Sequence, residues 1–85
     1  AMLLCVGALP LPAGAGTEPN QDYDFHLSKG LYLYSSRQDK EARRELTEAV
    51  RARPGDPTAG YYLGRTLIRL QQYETAEERF RQVLK

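Results

Sequence analysis

The sequence repeats itself with a fixed period of thirty-four residues. Such a period is typical of architectures in which copies of one supersecondary unit stack on each other, so it constrains the fold more than any single motif does. A chain built in this way usually acts by presenting a surface rather than by assembling a reaction centre. Four pairs of residues carry the period: Gly30 and Gly64, Ala42 and Ala76, Leu46 and Phe80, and Ala49 and Val83.

Apolar residues recur at helical spacing from Tyr23 onward, and polar segments divide this region into predicted helices. The first predicted helix begins at Tyr23, where Asp22 or Asp24 could accept the free backbone N–H groups of the first turn. The second covers residues 40–53, and Asp39 offers the same kind of cap. The two helices would form an antiparallel hairpin.

The strongest turn signal in the chain is the segment 53–57, Arg-Pro-Gly-Asp-Pro. The residue before a proline is driven out of the helical region, so the second helix should end there. Asp56 can cap a third helix, and Pro57 suits the first helical position because its missing N–H costs nothing there. We expect this helix to reach about Leu70 and a fourth helix to begin near Tyr73.

Two glycines lie inside predicted helices at the same phase of the period. A glycine inside a helix costs about 1 kcal/mol relative to alanine. Its recurrence predicts that the backbones of two helices approach each other closely at that point. Together with the small and large residues of the second helix in each hairpin, the predicted packing set is Gly30, Ala42, Leu46, Ala49, Gly64, Ala76, Phe80 and Val83.

These residues and their spacing resemble the tetratricopeptide repeat. The resemblance covers residues 23–85 and implies an all-α fold, a right-handed stack of antiparallel helix hairpins with about four helices. Repeat 1 would span residues 23–56, and repeat 2 would span residues 57–85 in truncated form. The matching residues are Gly30, Leu33, Tyr34, Ala42, Leu46, Ala49 and Pro54 in the first copy, and Leu63, Gly64, Leu67, Tyr73, Ala76, Phe80 and Val83 in the second.

The chain also departs from the family pattern. Arg37 and Gln71 stand where a turn glycine is usual, and Lys29 stands where leucine is usual. The second copy ends three residues before the position equivalent to Pro54. Because fewer than three repeats are rarely stable alone, we expect a fragment of a longer array whose fourth helix has an uncovered apolar side. That side would mediate homo-oligomerisation through exposed repeat ends, or the apolar residues 2–11 would cover it.

The resemblance further implies a concave groove lined by the first helix of each repeat. Such a surface, half apolar and half basic, would bind a peptide or helix that carries an apolar anchor and a carboxylate. We therefore expect a protein–protein interaction module. The alternatives are a spacer segment of a larger exported or membrane-associated protein, and, for the leucines, simple packing against neighbouring helices. The expected groove residues are Leu27, Leu31, Tyr34, Ser35, Tyr61, Arg65, Ile68 and Arg69.

The sequence gives no indication of an enzyme, a cofactor or a metal site. His26 is the only histidine, and spacing places no acid or nucleophile beside it. Cys5 is the only cysteine, so no internal disulfide can form and no Cys or His pair has metal-ligand spacing. The formal net charge is +1, with acids interleaved among the arginines, which does not favour nucleic acid as a partner.

Residues 1–16 are apolar and uncharged, and too short for a transmembrane helix, which needs about 20 residues. The small residues Ala13-Gly14-Ala15 at their end resemble the cleavage region of a secretory signal peptide. A signal remnant would make the protein exported, and otherwise we expect it in the cytoplasm. The alternative is an extended arm that packs on helices, since Pro10 and Pro12 disfavour a helix. Residues 17–22 are expected to form a linker.

Overall fold

The computed structural model describes residues 19–85, and this part of the chain consists of helices and turns, with no strand. The predicted all-α fold is confirmed. The expectations for residues 1–16, an extended arm or a signal-peptide remnant, lie outside the described residues. None of the helices in residues 19–85 has the length and apolar character that a membrane crossing requires. The helices are α1 (Pro19–Ser35), α2 (Asp39–Ala52), α3 (Pro57–Arg69) and α4 (Tyr73–Val83).

The first helix begins earlier than the sequence indicated. It starts at Pro19 rather than at Tyr23, so the last residues of the expected 17–22 linker form its first turn. Proline is tolerated in that turn because the first N–H groups of a helix have no intrahelical partner. The prediction that Asp22 or Asp24 caps this helix is therefore wrong. Asp22 lies inside the first turn, where its charge favours the positive end of the helix dipole.

The caps of α2 and α3 differ from each other. The residue before α2 is Gln38, whose side chain makes no capping hydrogen bond, and Asp39 is already helical. The prediction that Asp39 caps α2 is wrong, because its carboxylate contacts Arg69 of α3 instead. The predicted cap of α3 is confirmed. Oδ1 of Asp56 accepts a hydrogen bond from the backbone N–H of Thr58 at 2.9 Å.

The two hairpin turns have the same geometry. In the α1–α2 turn, the backbone N–H of Gln38 donates to the carbonyl of Leu33 at 2.9 Å, and Arg37 donates to Tyr34 at 3.2 Å. The α3–α4 turn repeats both bonds thirty-four residues later, and this pair of bonds is the Schellman motif that ends many helices. The motif needs a left-handed residue, which is Arg37 in one turn and Gln71 in the other, with φ of 64° and 62°.

The glycines lie where the helices of each hairpin meet. A Cβ atom added to Gly30 would stand 2.7 Å from the side chain of Leu46 and 3.3 Å from its backbone nitrogen. A Cβ atom added to Gly64 would stand 2.7 Å from the ring of Phe80. The two distances of 2.7 Å are shorter than a carbon–carbon contact allows, so the absence of a side chain at Gly30 and Gly64 is what permits the close approach.

The hairpins stack through a shared core. One cluster draws residues from all the helices in the described part of the chain, and a second joins the starts of α1 and α3 to the end of α2. The stack is thus continuous from one hairpin to the next, as in a helical repeat protein. The buried members are Leu33, Ala42, Leu46, Leu63, Leu67 and Ala76 in the first cluster, and Tyr23, Ala49 and Ala59 in the second.

A part-buried hydrogen bond links the first helix to the start of the third. The hydroxyl of Tyr23 donates to Oδ1 of Asp56 at 2.7 Å, and the guanidinium of Arg53 lies 4.3 Å from the centre of the Tyr23 ring. Burial, with this bond and the nearby Asp56 charge, raises the pKa of Tyr23 to about 12. The same bond holds the pKa of the Asp56 carboxyl below its usual range.

Candidate functional site

A depression with a volume of about 390 Å³ opens between the end of α1 and the exposed face of α3. Arg65, Ile68 and Arg69 follow one another at helical spacing along α3, so they share one face. Tyr34 comes from the last turn of α1, and Arg37 comes from the turn that follows it. We call this site the arginine depression, and its lining residues are Tyr34, Arg37, Arg65, Ile68 and Arg69.

Arg65 is held by aromatic side chains. Its guanidinium lies 5.9 Å from the centre of the Tyr34 ring and 5.6 Å from that of Tyr61. Its Nη1 donates a hydrogen bond to the Tyr61 hydroxyl at 3.2 Å, and this bond raises the pKa of Arg65 above its usual value. Within residues 19–85, no carboxylate lies within ion-pair distance of it. The charge is positioned but not neutralised.

Arg69 has a structural role at the base of the depression. Its Nη2 donates to the carbonyl oxygen of Tyr34 at 2.6 Å and lies 2.7 Å from Oδ1 of Asp39. Its guanidinium also stacks on the Tyr34 ring, with the carbon atom 3.9 Å from the ring centre. These contacts connect α3 to the end of α1 and to the start of α2. Arg69 therefore fixes one hairpin against the other, whereas Arg65 and Arg37 are left to face solvent.

An aromatic row borders the depression. The rings of Tyr34 and Tyr62 meet edge to face at 5.4 Å, and Tyr62 meets Tyr61 in the same way at 5.2 Å. Tyr61 then approaches Phe80 of α4 at 6.1 Å. Edge-to-face contacts of this kind stabilise the pair beyond the area that they bury. The row runs from α1 to α4 and keeps the ring of Tyr61 beside Arg65, although Tyr61 itself is exposed.

The structure separates the expected groove residues into two groups. It brings Tyr34, Tyr61, Arg65, Ile68 and Arg69 together around the depression. The other three expected groove residues belong to α1. Leu27 is half-buried and packs against both core clusters, and Leu31 is also half-buried. The hydroxyl of Ser35 is bonded to the carbonyl of Leu31 at 2.7 Å. Leu27 thus packs against neighbouring helices, which was the alternative to a groove position for the leucines.

Two residues of the site were not expected from the sequence. Arg37 faces the depression because the left-handed turn places it beside the end of α1. The sequence could have indicated this only through the position of Arg37 in the predicted turn, where it is equivalent to Gln71. Tyr62 supports the aromatic row from the half-buried side of α3. Only the pairing of Tyr62 with Tyr34, across the interface between the hairpins, could have indicated its role.

The single histidine lies away from the depression. Nδ1 of His26 is 2.7 Å from Oε1 of Glu45, and Nζ of Lys29 is 3.6 Å from the other oxygen of the same carboxylate. The contact with His26 is the main cause that lowers the pKa of Glu45 below its usual value. These side chains connect α1 to α2. In residues 19–85, no three His, Cys, Asp or Glu side chains are grouped so as to hold a metal ion.

Comparison with known proteins identifies the repeat. A family model described as the tetratricopeptide repeat matches residues 33–85, which is more than half of the chain. No curated protein and no solved structure matches the chain significantly. The matched region contains both hairpin turns, both Schellman motifs and the whole of α2, α3 and α4. The chain therefore belongs to the tetratricopeptide repeat family, whose helical repeats generally act as non-enzymatic modules of protein–protein interaction.

Proposed function

We propose that the arginine depression binds a peptide or helical segment of a protein partner that presents an apolar side chain next to a carboxylate. The observation that carries this proposal is the unpaired positive charge of Arg65. Its guanidinium is held by Tyr61 and lies near Tyr34, yet it has no carboxylate partner in the described part of the chain. A carboxylate from a ligand would supply the missing charge and could accept two parallel hydrogen bonds from the guanidinium.

The apolar part of the ligand would lie against Ile68. The side chain of Ile68 is 44 % exposed, although it lies between Arg65 and Arg69 along the same helix face. Tyr34, in the last turn of α1, lines the same depression. An aliphatic or aromatic side chain in this space would remove apolar surface from water on both partners. Tyrosine and arginine are also the residues that most often dominate binding energies at protein interfaces.

The charge of the depression is local. Arg37 and Arg65 supply its accessible positive charge, while the formal net charge of the whole chain is only +1. Nucleic acids need a basic surface that extends along the phosphate backbone. A short acidic segment needs only one or two well-placed guanidinium groups. The distribution of charge thus favours a peptide ligand over a nucleic acid.

The proposal can be tested with four fluorescein-labelled peptides of equal length. One carries a leucine next to a glutamate, one replaces the glutamate with glutamine, one replaces the leucine with alanine, and one has both replacements. Fluorescence anisotropy should show the tightest binding for the leucine–glutamate peptide and weaker binding for each replacement. Binding of that peptide should also weaken as salt is added, because its carboxylate interaction is partly exposed.

Arg65→Gln should weaken binding of the leucine–glutamate peptide by about tenfold, the effect of losing a charge-assisted hydrogen bond of roughly 1.5 kcal/mol. The matched control is Arg51→Gln, which removes the same charge from an exposed position on α2 where the side chain forms an ion pair with Glu48. It should leave binding unchanged. Equal affinity for all four peptides, or equal loss in both variants, would contradict the proposal and favour a spacer segment without its own ligand.

A further inference from the structure

Two exposed apolar faces lie at opposite ends of the stack. The first, which we call the α1 face, consists of Phe25, Lys29 and Tyr32, and its two aromatic side chains are 60 % and 68 % exposed. The second, the α4 face, surrounds a depression of about 400 Å³. Exposed apolar groups that are contiguous mark interaction surfaces more often than isolated ones do. The α4 face is lined by Ile68, Tyr73, Ala76, Glu77, Phe80, Arg81 and Leu84.

The thirty-four-residue period relates these faces to an interface that already exists inside the chain. In that interface α3 packs on α2. Ala59 belongs to the cluster against which Val50 packs, and Leu63 belongs to the same cluster as Ala42 and Leu46. Thr66 of α3 is also buried. The residues of α1 equivalent to Ala59, Leu63 and Thr66 are the three members of the α1 face.

A shift of thirty-four residues in the other direction relates α2 to the α4 face. Residues thirty-four positions after Ala42, Leu46 and Val50 are Ala76, Phe80 and Leu84, all of which belong to the α4 face. The two exposed faces are therefore the two halves of one interface, displaced by one repeat in opposite directions. A second molecule of the same sequence carries the half that each face lacks.

We propose that the α1 face of one molecule docks on the α4 face of another, in the arrangement that α3 adopts on α2 within the chain. The contact is heterologous, since different surfaces of the two molecules meet. Each addition leaves one free face of each kind, so association does not stop at a dimer. The product is an open stack that continues the order of helices from one molecule into the next.

The side chains at the two faces indicate how strong this contact is relative to the interface between α2 and α3. The α1 face has Phe25 and Tyr32 where α3 has the smaller Ala59 and Thr66, and the depression in the α4 face offers the space for larger rings. Lys29 replaces the buried Leu63, and removing its charge from water opposes docking. Glu77 also lines the depression, but its carboxylate lies 3.1 Å from the guanidinium of Arg81, so it offsets little of this cost. The contact is thus weaker than the internal one, reversible and dependent on concentration.

The experiment measures the mass of the full chain in solution by sedimentation velocity and light scattering across a wide range of protein concentration. The average mass of the unmodified protein should rise with concentration and pass the mass of a dimer. Tyr32→Glu disables the α1 face, and Leu84→Glu disables the α4 face. Each variant alone should be a monomer, because its remaining face has no intact counterpart.

Mixing the two variants gives the decisive result. The Tyr32→Glu molecule retains its α4 face and the Leu84→Glu molecule retains its α1 face, so the mixture should form one-to-one dimers and nothing larger. The pair Phe25→Glu and Tyr73→Glu repeats the experiment with different exposed positions, and circular dichroism checks that each variant remains helical. Arg51→Gln, on neither face, should associate as the unmodified protein does.

Three results would overturn the proposal. The unmodified protein could remain a monomer at every concentration. Leu84→Glu could abolish association while Tyr32→Glu has no effect, which would indicate a symmetric dimer through two α4 faces. The mixture of folded variants could also fail to form dimers.

Discussion

The α1–α2 and α3–α4 hairpins share their turns and their glycine contacts, but they fill the rest of their interfaces differently. In the first hairpin, His26 of α1 contacts the carboxylate of Glu45 on α2. In the second, the position equivalent to His26 is Gly60, and a Cβ atom placed there would stand 2.8 Å from Val83. A polar contact in one hairpin is thus replaced by close apolar packing in the other. The shape of the unit depends on a few positions, and the remaining contacts can vary in chemistry.

The hairpins also differ in how much of their central contact is covered. Leu46, which packs against Gly30, has no exposed surface because α3 covers it from the second hairpin. Phe80, its equivalent against Gly64, is only half-buried. The residue that packs on the glycine is therefore enclosed by two helices in the first hairpin, whereas in the second hairpin it remains partly exposed. A side chain that is enclosed on all sides has less room to adjust to a change.

The largest expected effect tests how strongly one hairpin depends on the other. Tyr23→Phe removes the hydroxyl that joins α1 to Asp56 at the start of α3, and the second hairpin has no equivalent of it because Pro57 occupies that position. Loss of a hydrogen bond to a carboxylate should lower the free energy of unfolding by about 2 kcal/mol. Urea titration near neutral pH measures this. A change much below 1 kcal/mol would show that this hydrogen bond contributes little to holding the hairpins together.

The same substitution has a signature in pH. The pKa of Tyr23 is raised from 10.0 to about 12, so its contribution to stability is complete below pH 10 and is lost as the pH rises toward 12. The pKa of Asp56 is lowered, so its contribution is present above its ordinary pKa of about 3.9 and is lost as the pH falls below that value. Tyr23→Phe should flatten the alkaline limb and reduce the acid limb. Superimposable pH profiles for both proteins would contradict this.

The second prediction compares the two glycines directly. Gly30→Ala places a Cβ against the enclosed Leu46 side chain and near its backbone, whereas Gly64→Ala meets the outer end of the Phe80 ring. Overpacking costs roughly 1–3 kcal/mol, and the better helix propensity of alanine returns about 1 kcal/mol. We expect Gly30→Ala to destabilise the fold by about 1 kcal/mol and Gly64→Ala to be nearly neutral. Thermal unfolding of both variants tests the order, and a larger loss for Gly64→Ala would reverse the comparison.

The smallest expected effect concerns the two turns. Arg37→Gly and Gln71→Gly each place glycine at a left-handed position, with φ of 64° and 62°. A residue with a Cβ is strained there by about 1–2 kcal/mol, and the greater freedom of glycine in the unfolded chain removes part of the gain. Each variant should be more stable by about 0.5–1 kcal/mol. Thermal unfolding measures the gain.

The turns should differ in binding, because Arg37 lines the arginine depression and Gln71 does not. Arg37→Gly should therefore weaken binding of the leucine–glutamate peptide while it stabilises the fold. Gln71→Gly should stabilise the fold and leave binding unchanged. Equal binding by both variants would remove Arg37 from the proposed site.

Features set by neighbouring residues could be predicted from the sequence. The segment 53–57 placed the end of α2 and the start of α3, and the Asp56 cap followed from the residues directly after it. Pro19 could not be assigned in the same way, because proline occurs both in loops and in the first turn of helices. The sequence therefore predicted a linker where α1 already begins.

Features that depend on distant partners could not be predicted. Asp39 has the ordinary position of a cap, but its partner Arg69 is thirty residues later in the chain. Tyr23 and Asp56 are thirty-three residues apart. In the candidate site, the helical spacing of Arg65, Ile68 and Arg69 was visible, since one helix face is a local property. The part of the site that crosses from one hairpin to the other depends on how the hairpins stack.

The contacts of Arg69 have a consequence for any ligand. By holding Tyr34 and Asp39 from α3, this side chain fixes the pitch between successive hairpins before a partner arrives. The base of the proposed binding site is therefore preorganised, and the entropy cost of ordering it is met during folding rather than on association. Affinity for a partner would then depend on how well the partner's own conformation matches this fixed base, while the exposed side chains of Arg37 and Arg65 can still adjust.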